Sequence, residues 1–382
     1  MSLSKTLAEL TSERIDRAYE FDRIAAPDRN PVLILGTGHL GQWALAALRQ
    51  AGIQMPAFCD NNSRLWGSLV EGIPVMGPEE ALKRFPGAAV VVAIYNSTAP
   101  QRQLRALGCE RVVPYPVLFW RHSQFMPRED RLELPHVILS RTAEMPAGYD
   151  LLADDSSRRE FCAQIRWRCS LDYGCLPAPD SPSDMYYPAD LFALRPDETL
   201  VDCGAFDGDS IRSFLDKSGG RFERIHALEA DSKNLSALRR YVDRLDPGVG
   251  VRIAIHPYAV SSRNGTLRFS AEGSVGSRVD ESGTEVECRT LDTLLSDAEP
   301  TFIKMDIEGA EPDALEGARE LMAKHRPVMA VCAYHKCDHL WILPQLLKAG
   351  NPAYSIFLRR YAEDCWETVF YAVPPERSRM RP

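Results

Sequence analysis

Several acidic residues in the second half of the chain follow directly after short apolar runs, where their carboxylates could bind a polar ligand. Asp202 ends one such run and begins a turn that contains two glycines, Asp202-Cys203-Gly204-Ala205-Phe206-Asp207-Gly208. Glycines four positions apart let a backbone approach a bulky ligand, because a Cβ there would collide with it. Glu229 ends the next apolar run and is placed to accept hydrogen bonds from both hydroxyls of a ribose. The spacing between Gly204 and Glu229 suits one strand-helix-strand unit.

A second glycine-rich turn lies near the amino terminus and fits a dinucleotide. The run Gly36-Thr37-Gly38-His39-Leu40-Gly41 follows an apolar segment, and Asp60 ends the next predicted strand. In that context Gly36, Gly38 and Gly41 would approach a pyrophosphate, and Asp60 would bind an adenosine ribose. Two observations argue against a complete dinucleotide enzyme: about four strands are predicted here, and no Tyr-x-x-x-Lys pair occurs in the chain. The sequence leaves open whether this module binds a nucleotide-linked substrate or has a structural or assembly role.

The elements that must position these residues alternate between strands and helices. Apolar runs without polar alternation, such as 88–94 and 328–333, are typical of parallel strands covered on both faces. We therefore predict the α/β class with two Rossmann-like domains, the second on a mostly parallel sheet of about seven strands that ends in an antiparallel hairpin. A helix is predicted over about 312–324.

The predicted domain boundaries follow from composition and from this alternation. Residues 1–127 form a Rossmann-like nucleotide-binding module with an N-terminal helix, and residues 191–382 form the second domain. Between them, 128–190 is rich in Pro, Asp and Ser, which predicts a connector with some helix around 156–169.

Four segments of the second half resemble, in order, the motifs of the FkbM-type methyltransferase family. The first is the turn that begins at Asp202, and the second, Leu228-Glu229-Ala230-Asp231, resembles the ribose motif. The third, Lys304-Met305-Asp306-Ile307-Glu308-Gly309-Ala310-Glu311, is similar to the family signature K-x-D-[IV]-E-G-A-E and is the most specific. The fourth, 366–372, resembles the closing strand of many members, and the resemblance covers about residues 186–373.

The resemblance implies a methyltransferase domain that moves the methyl group of S-adenosylmethionine to an oxygen, usually that of a hydroxyl. It implies that Glu229 holds the ribose, that Ala259 and Val260 flank the adenine, and that Asp306 lies beside the transferred methyl. The full predicted set for this cofactor is Asp202, Gly204, Ala205, Phe206, Asp207, Gly208, Glu229, Ala230, Asp231, Ala259, Val260, Asp306 and Glu308. The charges agree, because acids favour a sulfonium and an ammonium group and repel a pyrophosphate.

Methyl transfer from a sulfonium is an in-line displacement, so positioning supplies much of the rate. A hydroxyl acceptor also loses its proton near the transition state, and a histidine that titrates near neutral pH suits that task. His335, just after the apolar run 328–333, is the predicted base, while Asp306 would orient the acceptor or serve as the base itself. Related sequences often carry a histidine where this chain has Arg359-Arg360-Tyr361, a departure that concerns the acceptor pocket.

Composition argues against several other classes of protein. The formal charge is −8, from 45 basic and 53 acidic residues, without the long basic run typical of nucleic-acid binding. Apolar runs have strand lengths and Met1–Glu20 is polar, so we predict no membrane span and a cytoplasmic location. The ten cysteines contain no CxxC pair, and Cys332, His335, Cys337 and His339 form an incomplete ligand set, so no metal site is predicted.

The acceptor is expected to be a small molecule or a glycan, and a sugar hydroxyl is favoured because the N-terminal module resembles small Rossmann-like modules that precede sugar-modifying enzymes. A homodimer is among the assemblies that the sequence allows. Two other hypotheses stay open at this point. One is an NAD(P)-dependent oxidoreductase that works from the turn at Gly36, and the other is a non-catalytic nucleotide-sensing protein.

Overall fold

Strands and helices alternate along most of the chain, and the protein belongs to the α/β class. The computed structural model describes residues 2–12, 17, 19–269 and 284–380. The strands are β1 Val32–Leu35, β2 Phe58–Cys59, β3 Leu69–Val70, β4 Ile73–Met76, β5 Ala89–Val92, β6 Arg111–Pro114, β7 Thr199–Cys203, β8 Arg224–Leu228, β9 Ile253–His256, β10 Ala259–Val260, β11 Gly265–Phe269, β12 Thr284–Arg289, β13 Phe302–Met305, β14 Val328–Cys332, β15 Ser355–Arg360 and β16 Thr368–Val373. The helices are α1 Leu3–Ser12, α2 Glu20–Ala25, α3 His39–Gln50, α4 Pro78–Arg84, α5 Thr98–Ala106, α6 Tyr115–His122, α7 Pro135–Ser140, α8 Met145–Tyr149, α9 Asp155–Ser170, α10 Asp209–Ser218, α11 Ser232–Val242, α12 Pro247–Gly250, α13 Leu291–Leu294, α14 Glu311–Glu316, α15 Arg319–His325 and α16 His339–Gly350. Within the described ranges, none of these helices has the length and apolar character needed to cross a membrane.

The first six strands form one sheet in the order β3-β4-β2-β1-β5-β6. All neighbouring pairs are parallel except β3 and β4, which form an antiparallel hairpin at the edge. β1 and β5 are buried along their whole length, which explains their uninterrupted apolar sequences. The expectation of about four strands is wrong, because this sheet has six. The two additional strands were not predicted because β3 has only two residues and β4 contains Pro74, which lacks a backbone N–H for the ladder.

Seven strands form the second large sheet, in the order β15-β16-β14-β13-β7-β8-β9. Its central strands are parallel, while β16 runs antiparallel to both β14 and β15. The predicted seven-stranded, mostly parallel sheet with a terminal antiparallel hairpin is therefore confirmed. A separate three-stranded sheet of β10, β12 and β11 lies beside it.

The helix expected over about 312–324 is two helices, α14 and α15. The break lies at Gly317, whose carbonyl accepts a hydrogen bond from Asp292 N at 2.9 Å. A Cβ at this glycine would lie 2.1 Å from the carbonyl oxygen of Ser261. The chain turns here because another segment approaches its backbone, which is a contact that helical periodicity does not report.

The connector packs against the edge of the second sheet. Its main helix, α9, begins after Asp154, whose side chain accepts a hydrogen bond from Ser157 N at 2.8 Å, as expected of an N-cap residue. Two arginines of β15 reach across to this region: Arg359 bonds to Asp154 at 2.7 Å, and Arg360 bonds to Glu160 at 2.7 Å. Both ion pairs join the connector to β15 at the edge of the second sheet.

The segment 361–367, which joins β15 to β16, lies on the carboxyl edge of the N-terminal sheet. Ser97 N donates to Asp364 Oδ2 at 3.2 Å. The ring of Tyr95 meets that of Trp366 edge-on, with centroids 5.1 Å apart. The edge of the first sheet at which a dinucleotide is expected is thus in contact with the second domain.

Candidate active site

A cavity lies at the carboxyl ends of β7, β8 and β13, with a volume of about 180 Å³. It is lined by Tyr186, Gly204, Phe206, Asp209, Ser210, Leu228, Glu229, Ala230, Asn234, Tyr258, Ala259, Val260, Lys304, Asp306, Ile307, Glu308 and Ala310. A larger and more open groove of about 740 Å³ lies at the opposite edge of the same sheet, near Thr199, Arg224 and Thr301. Because ligands of open α/β sheets bind at the carboxyl ends of the strands, the smaller cavity is the candidate ligand site.

Eight of the predicted cofactor residues line this cavity: Gly204, Phe206, Glu229, Ala230, Ala259, Val260, Asp306 and Glu308. Five others, namely Asp202, Ala205, Asp207, Gly208 and Asp231, are not among its lining residues. Asp207 faces solvent and pairs with Arg212 at 2.6 Å. Asp231 caps α11 by accepting from the backbone nitrogens of residues 233 and 234 at 2.8 and 3.1 Å. The turn therefore supplies some residues to the ligand and others to the fold itself.

The two glycines of the turn are required by packing within the protein. Gly204 has a φ of 80°, and a Cβ on it would lie 2.0 Å from the carbonyl oxygen of Asp306. Gly208 has a φ of 91°, and a Cβ on it would lie 2.4 Å from the ring of Tyr241. Both positions are in the left-handed region that favours glycine. The sequence indicated correctly that glycine is needed, but the colliding groups belong to the chain rather than to a ligand.

Glu229 lies at the end of β8 and holds the turn in place. Its Oε2 accepts from Phe206 N at 2.9 Å, and its Oε1 accepts from Asp231 N at 2.7 Å. Burial raises the pKa of this carboxyl to about 7, although the two backbone donors oppose the rise. Each carboxylate oxygen has two lone pairs, so both oxygens retain a position for a ligand hydroxyl on the cavity side.

Asp202 lies behind the cavity wall, where it forms a buried ion pair with Lys304. The two residues are register partners on β7 and β13, and Lys304 Nζ lies 3.1 Å from Asp202 Oδ1. Ser210 Oγ donates to Asp202 Oδ2 at 2.5 Å, and Lys304 Nζ donates to Gly204 O at 2.7 Å. Burial opposes the charged lysine, yet the Asp202 carboxylate raises its pKa above the ordinary value. The sequence identified Lys304 as the first residue of the family signature but gave it no role in the site, and it is the only charged residue in β13.

Asp306 begins directly after β13 and is oriented by two tyrosines. Tyr186 OH donates to its Oδ2 at 2.9 Å, and Tyr334 OH donates to its Oδ1 at 3.0 Å. Burial raises the pKa of Asp306, but the adjacent His335 imidazole and the charge of Lys304 outweigh that effect, so the pKa is lowered. The residue is therefore an ionised carboxylate at neutral pH. Tyr186 comes from the connector and was not predicted as a site residue.

His335 is buried behind Asp306, between three carboxylates. Its Nδ1 lies 2.7 Å from Glu311 Oε1, and its Nε2 lies 3.3 Å from Asp306 Oδ1 and 3.7 Å from Glu308 Oε2. Burial lowers the pKa of this imidazole, but Glu311 and Glu308 raise it to about 10 overall. In this form the ring carries a proton on both nitrogens at neutral pH. A protonated imidazole cannot accept a further proton, which bears directly on its predicted role as the base.

A buried cluster around Arg131 contacts Glu308 from outside the cavity, and its residues are not among those that line the cavity. Arg131 of the connector bonds to Glu308 Oε2 at 2.6 Å and lies 3.3 Å from Glu129 Oε1. Its guanidinium also lies over the rings of Tyr95, at 5.5 Å, and Trp366, at 5.9 Å. Sequence reasoning missed these residues as a group, because they are separated by long stretches of chain and share no local motif.

Arg359 and Arg360, where related sequences often carry a histidine, do not line the cavity. Both are buried and pair with acids at the start of α9, as described above. The departure from the family pattern at these positions therefore serves the contact between β15 and the connector.

The N-terminal glycine turn is held by hydrogen bonds and close contacts within the first domain. Asp60 Oδ2 accepts from the backbone nitrogen and the hydroxyl of Thr37, at 3.1 and 2.8 Å. A Cβ on Gly41 would lie 2.0 Å from Gly36 O, whereas a Cβ on Gly38 would meet nothing within 4 Å in the described part of the chain. The nearby space, which Trp366 helps to line, amounts to about 10 Å³.

Comparisons with known proteins agree with this geometry. Residues 202–350 match the model of the Methyltransferase FkbM domain. The crystal structure of methyltransferase FkbM from Methylobacillus flagellatus KT superposes with a TM-score of 0.78 at 23% identity, covering 97% of this chain and 98% of that one, which shows a shared fold.

A curated relative, the 2-O-methyltransferase NoeI of Sinorhizobium fredii, is 27% identical over 157 residues, or 35% of this chain. The matched region spans 62% of the length of that relative. Residues 202–350 thus match the FkbM methyltransferase domain, and nearly the whole chain shares its fold with the solved methyltransferase FkbM of Methylobacillus flagellatus KT.

Proposed function

We propose that the protein is an S-adenosylmethionine-dependent methyltransferase that methylates a hydroxyl oxygen of a small-molecule or glycan acceptor. The observation that carries this proposal is the position of Glu229 and Asp306. They follow β8 and β13, the two strands on either side of β7, and both line the same cavity. A carboxylate at the end of the second strand of such a unit is suited to both ribose hydroxyls. The second carboxylate lies where a positively charged sulfonium would be stabilised.

The lining residues fit the separate parts of this cofactor. Glu229 has lone pairs available for the ribose, and Ala259 and Val260 line the cavity with apolar side chains suited to the adenine. The turn at Gly204 and Phe206 borders the remaining space beside Asp306. The bound cofactor supplies an activated methyl group on a sulfonium, and the protein supplies its position and its electrostatic environment.

Asp306 is proposed to orient the acceptor hydroxyl. Its carboxylate is held by Tyr186 and Tyr334 and remains ionised, so it is suited to accept a hydrogen bond from that hydroxyl. The role of His335 as the base stays a prediction. It requires that the imidazole lose a proton, whereas the neighbouring carboxylates stabilise the protonated ring. His335→Ala with the acceptor in hand tests it, because near-normal turnover would exclude the role.

A sugar hydroxyl is the proposed class of acceptor. The N-terminal module resembles small Rossmann-like modules that precede sugar-modifying enzymes, and this resemblance supports a sugar as the acceptor. The name of the relative NoeI, a 2-O-methyltransferase, supports oxygen as the methylated atom.

The N-terminal module is proposed to act mainly through its contact with the second domain. The competing hypothesis is an NAD(P)-dependent oxidoreductase in which Gly36, Gly38, Gly41 and Asp60 bind the dinucleotide. The open space above Gly38 is the observation that favours it. Against it, the Asp60 carboxylate already accepts two bonds from Thr37.

Calorimetric titration tests the proposal directly. The purified protein is titrated with S-adenosylmethionine and, separately, with NADH. We expect S-adenosylmethionine to bind, and Glu229→Ala to weaken that binding by about 1–3 kcal/mol, because ribose hydroxyls would lose their partner. The control is Glu223→Ala, which removes an exposed acid near the opposite edge of the same sheet. Binding of NADH alone, or equal affinity in the Glu229→Ala protein, would refute the proposed function.

A further inference from the structure

Two carboxylates and one imidazole converge at the acceptor side of the cavity. Asp306, Glu308 and His335 each offer one ligand atom, and these atoms all lie within 4.8 Å of one another. The two carboxylates line the cavity, with side chains 22% and 14% exposed, whereas the imidazole lies behind them with 1% of its side chain exposed. An ion could therefore enter through the cavity and meet the histidine at its base.

The orientation of His335 is that of a metal ligand. Glu311, which is itself held by Ile307 N at 3.0 Å, binds Nδ1 and thereby fixes the ring. The opposite nitrogen, Nε2, is buried and has no well-formed hydrogen bond to any described residue, yet it points at Asp306 and Glu308. Proteins orient metal-binding histidines in this way, with an outer carboxylate on one nitrogen and the second nitrogen directed at the other ligands.

The charges of this region leave room for a cation. Four carboxylates, those of Glu129, Asp306, Glu308 and Glu311, lie close together here, and Arg131 is the arginine among their described ion-pair partners. Buried charges are normally paired or coordinate metals. A divalent ion between Asp306, Glu308 and Nε2 would offset part of this negative charge.

We propose that Asp306, Glu308 and His335 Nε2 bind a divalent first-row metal ion of the Mn²⁺ type at the edge of the cofactor cavity. Carboxylate oxygens suit Mn²⁺, and one imidazole is compatible with it. Glu308 shares its carboxylate between the ion and Arg131, since each oxygen has two lone pairs. The remaining coordination positions face the cavity. On the proposed function, on which this step rests, the ion would bind the acceptor hydroxyl and lower its pKa.

The proposed ligands differ from the incomplete set noted in the sequence, Cys332, His335, Cys337 and His339. Cys337 Sγ lies 3.3 Å from Arg131 O rather than beside His335 Nε2. His339 Nδ1 lies 3.5 Å from Glu311 Oε2, so it faces the outer carboxylate. The two ligands that replace them, Asp306 and Glu308, come from the end of a different strand and could be joined to His335 only by the tertiary fold.

Electron paramagnetic resonance of Mn²⁺ tests the site without any methyl transfer. The full chain, freed of metal with a chelator, is titrated with Mn²⁺ in the absence of S-adenosylmethionine. We expect the signal of free Mn²⁺ to be lost at a stoichiometry of about one per chain, with nitrogen coupling from His335 in pulsed spectra. Glu308→Gln should weaken binding by about tenfold or more, and His335→Gln should abolish the nitrogen coupling.

The matched control is Glu129→Gln, which removes a carboxylate that contacts the same arginine but offers no ligand atom. It should change the affinity by less than about threefold, because only a screened charge is lost. Circular dichroism of each variant confirms folding. Absence of saturable Mn²⁺ binding, or equal weakening by Glu129→Gln and Glu308→Gln, would overturn the inference. If Mn²⁺ does not bind but the metal-free protein binds S-adenosylmethionine, the metal site is refuted and the proposed function stands. If Mn²⁺ binds but S-adenosylmethionine does not, the metal site stands and the proposed function is refuted.

Discussion

Lys304 Nζ lies 3.1 Å from Asp202 Oδ1 across two neighbouring parallel strands, and both side chains are almost fully buried. The pair lies behind the cofactor cavity, where Lys304 also donates to the carbonyl of Gly204. It therefore ties the first turn of the site to the strand that ends at Asp306. Its position explains why an acid and a lysine occur within otherwise apolar strands.

Removal of one member of this pair should destabilise the protein strongly. Asp202→Asn leaves a buried ammonium without its anion, and we expect a loss of about 3–5 kcal/mol in the free energy of unfolding. The double variant with Lys304→Met should cost less than the sum of the two single variants. Urea denaturation measures all three. The exposed pair Lys217–Asp184 is the control, for which the same changes should cost less than about 1 kcal/mol. Strict additivity at Asp202 and Lys304 would contradict a coupled pair.

The two glycine-rich turns should respond differently to alanine. Gly204→Ala places a Cβ 2.0 Å from the backbone oxygen of Asp306 at a positive φ, so we expect a loss of stability greater than about 1 kcal/mol. Gly38→Ala meets nothing within 4 Å among the described residues at a φ of −68°, and its effect should stay within about 0.5 kcal/mol. Thermal unfolding compares the two. Gly38→Ala also bears on the competing hypothesis, because a stable variant that loses NADH binding would place a dinucleotide at this turn.

Stability should fall as the pH rises through the titration of Glu229. Burial raises the pKa of this carboxyl from 4.5 to about 7, while Asp231 and Lys304 are the charged neighbours that modify it. The folded protein therefore binds the proton more tightly than the unfolded chain, and the stabilisation present below pH 4.5 is lost between that pH and about 7. The difference is on the order of 3 kcal/mol. Urea denaturation at several pH values gives the free energy of unfolding as a function of pH. This free energy should fall less steeply with rising pH in Glu229→Gln than in the wild-type protein, and an unchanged pH dependence would refute the assignment.

Binding of S-adenosylmethionine should release a proton from Glu229 near pH 6.5. Ribose hydroxyls donate to the ionised carboxylate and thereby lower its pKa from about 7. Calorimetry in two buffers of different ionisation enthalpy measures the release. The Glu229→Gln protein serves as the control and should release none from this position. Proton uptake by the wild-type protein would contradict the prediction.

Asp207→Ala should leave the affinity for S-adenosylmethionine within about twofold of the wild-type value, because an exposed pair contributes little. The side chain faces solvent and pairs with Arg212 at 2.6 Å. The resemblance to the family placed it in the cofactor set, whereas the structure leaves it out of the cavity lining. Calorimetric titration of Asp207→Ala and Glu229→Ala with S-adenosylmethionine decides whether Asp207 contacts the cofactor. A loss as large as that of Glu229→Ala would show that the turn changes shape when the cofactor binds.

The sequence alone determined the α/β class, the seven-stranded sheet and the strand ends that carry Glu229 and Asp306. These features depend on local patterns: an apolar run predicts a strand buried on both faces, and the residue after it must lie at the carboxyl edge. The same patterns could not reveal the hairpin of β3 and β4, which are too short for a period, or the break between α14 and α15. That break depends on the approach of Ser261 to Gly317, far apart in the chain.

Only the tertiary structure decided which side chains meet at the acceptor side. Tyr186 and Arg131 come from the connector, and Tyr95 comes from the N-terminal module. Their convergence depends on how the modules pack, and no spacing along the chain encodes it. The charge state of His335 was equally hidden, because it depends on three carboxylates that surround the ring. Residue types are local information, whereas burial and the field of neighbouring charges exist only after the chain has folded.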